Sequence, residues 1–440
     1  MKPMLNDRAR FVLPVIAENM FTASVSLVYS AVTGAISADS LAASQVGNQA
    51  MNVISALFCV LTTGSAILAA RLTGRGDYKN ASMTVEQTVL LSPAFSVAVT
   101  ALLLLFTPFI MTLLMPGAEE TFLREGTDYF RMILLSVPFL VFSNAASGIL
   151  RAVGQSRGVL FGTVITNLTQ LLGLFLFTRV WPMEVKGVAL ASVLCRAAGS
   201  AYFLIMLFKN HRGFKLMPRR MLRPDAATIK RIFRVGLPAC VDGLAVQTAY
   251  LVINSMMVGM GGINAQVAGV LSSVLLFTGI TQGIGSAVST TIVGQTVGAG
   301  DIQGARVHMR KTLLYCEGAS MLLCLIALLL PHAGAGLFTR NEAIRSAASA
   351  FMWIQIPYCI AAVGVNVCEP ALRVGGDVRF AMLSISLCVL LIRLPLTYLL
   401  CVRLGMGVRG VYYANVLSLG TRFVLSYIRI NGNKWGKTEL

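Results

Sequence analysis

The chain has 440 residues, of which 56 % are hydrophobic and only 12 % charged, with a formal net charge of +18. So few polar residues cannot cover the surface of a water-soluble globule, which excludes that class and leaves a membrane protein. The nine cysteines lie mostly inside apolar stretches with no Cys-x-x-Cys pair, and the three histidines are scattered, so neither a disulfide framework nor a metal centre is expected.

In chain order, apolar stretches predict twelve transmembrane helices, because a bilayer core of ~30 Å takes about 20 helical residues. They cover roughly 11–34, 44–70, 84–107, 129–150, 159–180, 187–208, 236–258, 266–294, 311–331, 350–372, 380–402 and 408–428. Lys2, Arg8 and Arg10 precede the first span without a small-residue cleavage site, so that span reads as a retained helix rather than a signal peptide. Loops on the side of the N-terminus hold 25 lysines and arginines, and the opposite loops hold 7. Acids such as Glu119, Glu120, Glu125 and Asp128 gather on the second side. Cytoplasmic loops are the basic ones, so both termini are expected in the cytoplasm and the charge reports topology, not a nucleic-acid footprint.

The spans fall into two matching halves. ARLTGRGDYKNA (Ala70–Ala81) shares its Gly-x-Gly-Asp-x4-Ala skeleton with GQTVGAGDIQGA (Gly294–Ala305), 224 positions on. RFVLP (Arg10–Pro14) answers RVGLP (Arg234–Pro238) at the same offset, and LRAVGQSR (Leu150–Arg157) answers LRVGGDVR (Leu372–Arg379) at 222. KGV (Lys186–Val188) answers RGV (Arg409–Val411) at 223. Neither Gly-x-Gly-Asp stretch is a phosphate cradle: the third glycine is replaced by Lys79 and Gln303, and a long helical span precedes each. The glycines are expected to end a helix and turn the chain, with Asp77 and Asp301 capping the next helix. The expected organisation is a tandem duplication: a six-helix lobe over 1–208, a basic cytoplasmic linker over 209–235, and a second lobe over 236–440. The fold class is therefore an all-α polytopic membrane protein of twelve helices in two pseudo-symmetric lobes. With an even number of spans per half the repeats are parallel, and the pathway is expected at their interface.

Polar side chains in a bilayer each call for a partner, a cavity or a function. Glu18 and Asp242 lie 224 apart, each four residues beyond the proline of the repeated motif, and are the leading candidates for cation or proton coupling. The alternative is capping, or pairing with Arg10 or Arg234. Glu369, next to Pro370, is a third coupling candidate at an expected kink. Glu317 is expected to pair with Arg310 or Lys311. In span two Gln45, Asn48, Gln49 and Asn52 follow helical spacing, so four amides share one face that either lines a cavity or binds neighbouring helices. Asn167 and Gln170 in span five extend that polar surface, while Arg196 and Arg393, deep in spans six and eleven, pair with an acid or carbonyl or receive an anionic substrate.

Twelve spans, a proline early in the first and seventh, Gly-x-Gly-Asp loops after the second and eighth, and Leu-Arg-x-x-Gly loops after the fourth and tenth resemble the multidrug and toxic compound extrusion (MATE) transporters, with the DinF-like branch nearest. The resemblance covers almost the whole chain. It implies an inner-membrane antiporter, monomeric, exporting amphiphilic or cationic compounds by alternating access on a proton or sodium gradient, with no other cofactor. Relatives carry an acid in the first helix where VYSAVTG (Val28–Gly34) has Tyr29, and an Asp four residues after the fifth-helix Asn where Leu171 follows Asn167. Tyr29 therefore joins the cavity candidates rather than the coupling ones. A lipid-linked oligosaccharide flippase of the wider superfamily is the alternative, for which Arg196 and Arg393 supply only a thin basic lining. An enzyme is not expected, since no nucleophile or acid–base cluster stands out.

Overall fold

The computed structural model describes residues 2–36, 38–114, 120–181, 183–209, 223–259, 278–329, 351–432 and 435–436, with residues 216, 342, 346 and 349 singly. Regular structure among the described residues is helical throughout. The chain divides into two compact units, Met1–Cys240 and Val241–Leu440.

The first unit contains α1 (Lys2–Ile36), α2 (Ala38–Leu57), α3 (Cys59–Gly74), α4 (Tyr78–Leu114), α5 (Glu120–Leu134), α6 (Val137–Ala152), α7 (Ser156–Phe175) and α8 (Glu184–Phe208). Two predicted spans are bent: α2 meets α3 at 48°, and α5 meets α6 at 47°. Pro138 opens α6 and brings no amide hydrogen, so the helical ladder breaks at that elbow. Met51, Ile54 and Phe58 pack on Tyr129, Phe130 and Ile133 in one core cluster, and Ala69 and Ala70 pack with Ile149, Leu150 and Ala152 in another.

The seventh span, α9 (Ala226–Gly259), begins against α3. A Cβ on Gly64 would stand 2.5 Å from the Ile232 carbonyl oxygen, and one on Gly236 would collide with the Val60 carbonyl. The two backbones touch through these small residues. Ahead of α9, Gln87 of α4 receives the Asp225 amide at 3.1 Å and donates to the Arg223 carbonyl at 2.9 Å. Residues 210–215 and 217–222 of the linker lie outside the described residues.

In the second unit residues 266–277 of the predicted eighth span lie outside the description, and helix runs from 278 through a π turn (Ser289–Val293) into α10 (Gly294–Gly298). There follow α11 (Ile302–Leu329), α12 (Gln355–Val374), α13 (Val378–Leu387), α14 (Leu394–Tyr398) and α15 (Val408–Asn431). The π turn Cys388–Arg393 joins α13 to α14, and a second, Leu399–Arg403, continues α14 to the end of the same span. Among the described residues seven helices are long and apolar enough to cross a membrane, or nine if each bent pair counts as one span. Spans nine and twelve are present as α11 and α15, the latter carrying Arg409, Arg422 and Arg429.

The repeated motifs make one kind of turn four times. Gly76, Gly154, Gly300 and Gly376 have φ of 75°, 87°, 85° and 95°, the left-handed region that favours glycine. In each the following amide returns to the helix just ended: Asp77 to Leu72, Gln155 to Leu150, Asp301 to Thr296 and Asp377 to Leu372. These are Schellman closures. Asp77 accepts the Asn80 amide at 3.2 Å and Asp301 the Gly304 amide at 2.7 Å, so both cap as expected. The second glycine of each Gly-x-Gly-Asp carries the turn, while Gly74 and Gly298 close their helices.

Candidate ion-coupling and substrate site

The duplication brings the repeated motifs together in the same way within each unit. In the first, Arg151, in the last turn of α6, places a terminal nitrogen 2.5 Å from Glu18 Oε1 on α1. Thr163 of α7 donates to the same oxygen at 3.2 Å. Asn167, one turn on, donates weakly to the Thr22 hydroxyl at 3.4 Å, so α1 is tied to α6 and α7 by adjacent turns. In the second unit Arg373, the repeat counterpart of Arg151, stands 2.9 Å from Asp242 Oδ2, the counterpart of Glu18. Of the partners weighed from sequence, Arg234 is not the one found for Asp242, and the Arg10 side chain lies outside the described residues.

In both pairs one carboxylate oxygen is held and the other is not. Glu18 Oε2 and Asp242 Oδ1 are buried and meet no hydrogen-bond donor among the described residues. An unsatisfied buried acceptor costs about 1–3 kcal/mol, more when charged, and a proton or a small cation on that oxygen removes the penalty. Glu369 differs. Arg422 grips both its oxygens at 2.9 Å, with the two residues only 6 % and 7 % exposed. Asp377 is held likewise by Arg429 at 2.9 and 3.0 Å. The second unit therefore laces α9, α12 and α15 with ion pairs. Glu317 pairs with neither Arg310 nor Lys311 in a salt bridge among the described residues, and its Oε2 is buried without a donor.

The cavity candidates separate into groups. Tyr29 and Arg196 come together beside the fully buried Tyr129, and Arg196 donates to the Ser136 hydroxyl at the α5–α6 elbow. Gly47 lets the Tyr129 ring lie flush on α2, where a Cβ would stand 2.5 Å from the ring edge. On the amide face Asn48 and Gln49 are half-buried and Asn52 is exposed, while the Gln45 side chain lies outside the described residues. Gln170 is half-buried on α7. Arg393 belongs to another cluster, with its guanidinium carbon 4.3 Å over the Tyr250 ring. Sequence reading passed over Glu86, which lies in the predicted third span and is 2 % exposed. It also passed over Arg422, whose place mid-span was a usable signal, and the joint between Arg151 and Glu18, which only the fold creates.

Comparison with known proteins bears on the family and the fold. The MatE family profile matches twice, over residues 14–176 and 238–399, which is the duplication itself. The transporter YisQ of Bacillus subtilis is 22 % identical over 408 residues, covering 90 % of this chain and 88 % of the relative. A probable multidrug resistance protein NorM of Thermotoga maritima is 22 % identical over 446 residues, covering 97 % and 92 %. The solved outward-facing structure of a multidrug resistance MATE transporter of the MOP superfamily superimposes with a TM-score of 0.89 at 19 % identity, covering 98 % of this chain and 96 % of that one.

Proposed function

Because the chain belongs to the MatE family and is therefore a membrane transporter of the multidrug-efflux type rather than an enzyme, we propose that it exports amphiphilic and cationic compounds by alternating access on a proton or sodium gradient. It acts as a monomer in the bacterial plasma or inner membrane, with both termini in the cytoplasm, the arrangement that puts 25 of its loop cations inside and 7 outside. The flippase alternative has no counterpart among the relatives named above.

Coupling runs through Glu18 and Asp242. The observation that carries this is the repeated half-satisfied pair, with one oxygen on an arginine and the other buried without a donor among the described residues. Loading the open oxygen neutralises the carboxylate and weakens its hold on Arg151 or Arg373. That loosens α1 from α6, and α9 from α12. Unloading restores the charge and the grip. Coupling in this form does without the first-lobe acids whose places Tyr29 and Leu171 take. Glu369 stays engaged with Arg422 and has a structural part. The amides of α2, with Asn167, Gln170, Tyr29 and Arg196, supply polar contacts for substrate in the first unit.

The test is transport of a fluorescent cationic dye in vesicles by Glu18→Gln and Asp242→Asn. Each variant remains monodisperse in detergent and loses gradient-driven transport. Normal driven transport by the double variant removes both residues from the mechanism.

A further inference from the structure

Arg393 is the one buried arginine of the second unit whose described surroundings do not account for it. It is 6 % exposed, and its Nε–H is buried and meets no acceptor among the described residues. Arg373 also leaves Nε unmet, but its terminal nitrogen rests on Asp242, and Arg422 is fully used by Glu369. No carboxylate among the described residues lies within salt-bridge distance of Arg393, and the contact it does make is with the face of Tyr250. Duplication does not explain it either, because the 222 offset relating Arg151 to Arg373 carries Leu171 onto Arg393. A cation in the apolar part of a membrane protein is expensive and persists where it has a partner or a task.

The surroundings are aromatic. Tyr358 of α12 lies close to both Tyr250 and Arg393. From Tyr358 rings continue to Tyr412 at 6.3 Å, to Phe351 at 6.2 Å and to Trp353 at 5.8 Å, mostly edge to face. Trp353 is 48 % exposed, so the chain of rings runs from the surface inward to the half-buried Tyr358. Arg409, exposed beside this outer end, places its guanidinium 5.8 Å over Phe351. Arg393 lies about 22 Å along the span from Val378, on the far side from the glycine turns. Arginine presents a planar fork of donors that suits carboxylate, sulfonate and phosphate groups, and aromatic faces suit the apolar body that carries such a group.

We propose that Arg393, with Tyr250 and Tyr358 beside it, is a binding site for the anionic group of an aromatic or amphiphilic molecule, which extends the cargo from cations to zwitterionic and anionic amphiphiles. This rests on the transporter reading for its cargo role but not for the binding itself. The anionic group belongs either to a soluble amphiphile or to a lipid headgroup.

The experiment is calorimetric titration of the full chain, in phosphatidylcholine nanodiscs without any gradient, with three probes sharing one ring system: naphthalene-2-sulfonate, its neutral sulfonamide and the trimethylammonium analogue. The sulfonate binds tightest to the wild type. Arg393→Gln weakens it by about tenfold or more, the size of a lost charged hydrogen bond, and leaves the sulfonamide within about twofold. Arg393→Lys, which keeps the charge and loses the fork, falls between them. Equal binding of the three probes by the wild type overturns the proposal without recourse to any variant. So does a sulfonate affinity unmoved in a folded Arg393→Gln protein, which marks Arg393 as a packing cation held by Tyr250. Repeating the titration with phosphatidylglycerol added assigns the source: competition with the sulfonate identifies a lipid headgroup, and no competition identifies a soluble amphiphile. Dye transport under imposed gradients is read separately, so a failed coupling mechanism leaves this result interpretable.

Discussion

Glu369 and Arg422 form the most deeply buried two-bond ion pair among the described residues of the second unit, with both bonds at 2.9 Å. Removing one member leaves the other charge uncompensated where no water reaches it, at a cost of about 3–5 kcal/mol. Replacing both by apolar residues of similar volume removes both desolvation penalties and is near neutral or stabilising by about 1–4 kcal/mol. Glu369→Gln and Arg422→Met are therefore each expected to be strongly destabilising, and Glu369→Met with Arg422→Met close to wild type. At about 2–4 °C per kcal/mol, each single change lowers the melting temperature by roughly 6–20 °C. Asp242 is close enough to feel both Glu369 and Arg422, and it limits the loss in Glu369→Gln by giving Arg422 a second, poorer partner. Arg422→Met, which strands Glu369, is thus the more damaging single change. The assay is thermal unfolding of the purified proteins in detergent, read as loss of the monodisperse peak on size exclusion. If the double variant is as unstable as the sum of the singles, the two residues do not act as a pair, and the ion-pair lattice of the second unit is wrongly described.

The remaining expectations are shorter. Cysteine at Asn48 or Asn52, in a background lacking the nine native thiols, reacts with a membrane-impermeant thiol reagent if the amide face lines the substrate path; silence at both positions in every transport state assigns that face to helix packing. Trp435→Ala removes a side chain with no exposed surface that donates to the Ala371 carbonyl at 3.1 Å and fills the space left by Gly375, and costs about 3–5 kcal/mol in the same unfolding assay. Hydrogen bonds from Thr228 hold the Asp225 carboxyl below its usual range, so its contribution to α9 is full above the unfolded-state value and fades as the pH falls below it. Asp225→Ala abolishes that acid-side dependence, seen as amide protection factors at the start of α9, relative to the intrinsic rate at each pH, that fall on acidification in the wild type only.

The sequence showed the duplication, and with it the turns, because glycine at a left-handed position is a local requirement that a short motif can display. Glu18 and Asp242 could be picked out by their shared offset. Their partners could not: Arg151 and Arg373 were visible as members of a second repeated motif, but nothing in a linear chain says that two motifs more than a hundred residues apart meet. The bend at Pro138 left a local sign, whereas the bend between α2 and α3 has no proline to announce it. Glu86 escaped notice because it stands at the start of a predicted span, where an acid looks like a loop residue. Trp435 sits in a short polar stretch with no periodicity, and only the packing of Gly375 and Arg306 around its ring shows why a tryptophan is there. Arg393 was legible as an oddity, but its aromatic neighbours Tyr250 and Tyr358 come from two separate helices, α9 and α12.

The central claim is that substrate leaves against its gradient because an ion gradient is spent through the two half-satisfied carboxylates. The most direct measurement places wild-type protein and the Glu18→Gln/Asp242→Asn double variant in sealed vesicles with a fluorescent cationic dye, and imposes a proton gradient and a sodium gradient separately. The account predicts dye movement in the wild type under one of the two gradients and none above the protein-free rate in the double variant. Equal movement in both proteins under the effective gradient, or movement in the wild type that is indifferent to both gradients, contradicts it.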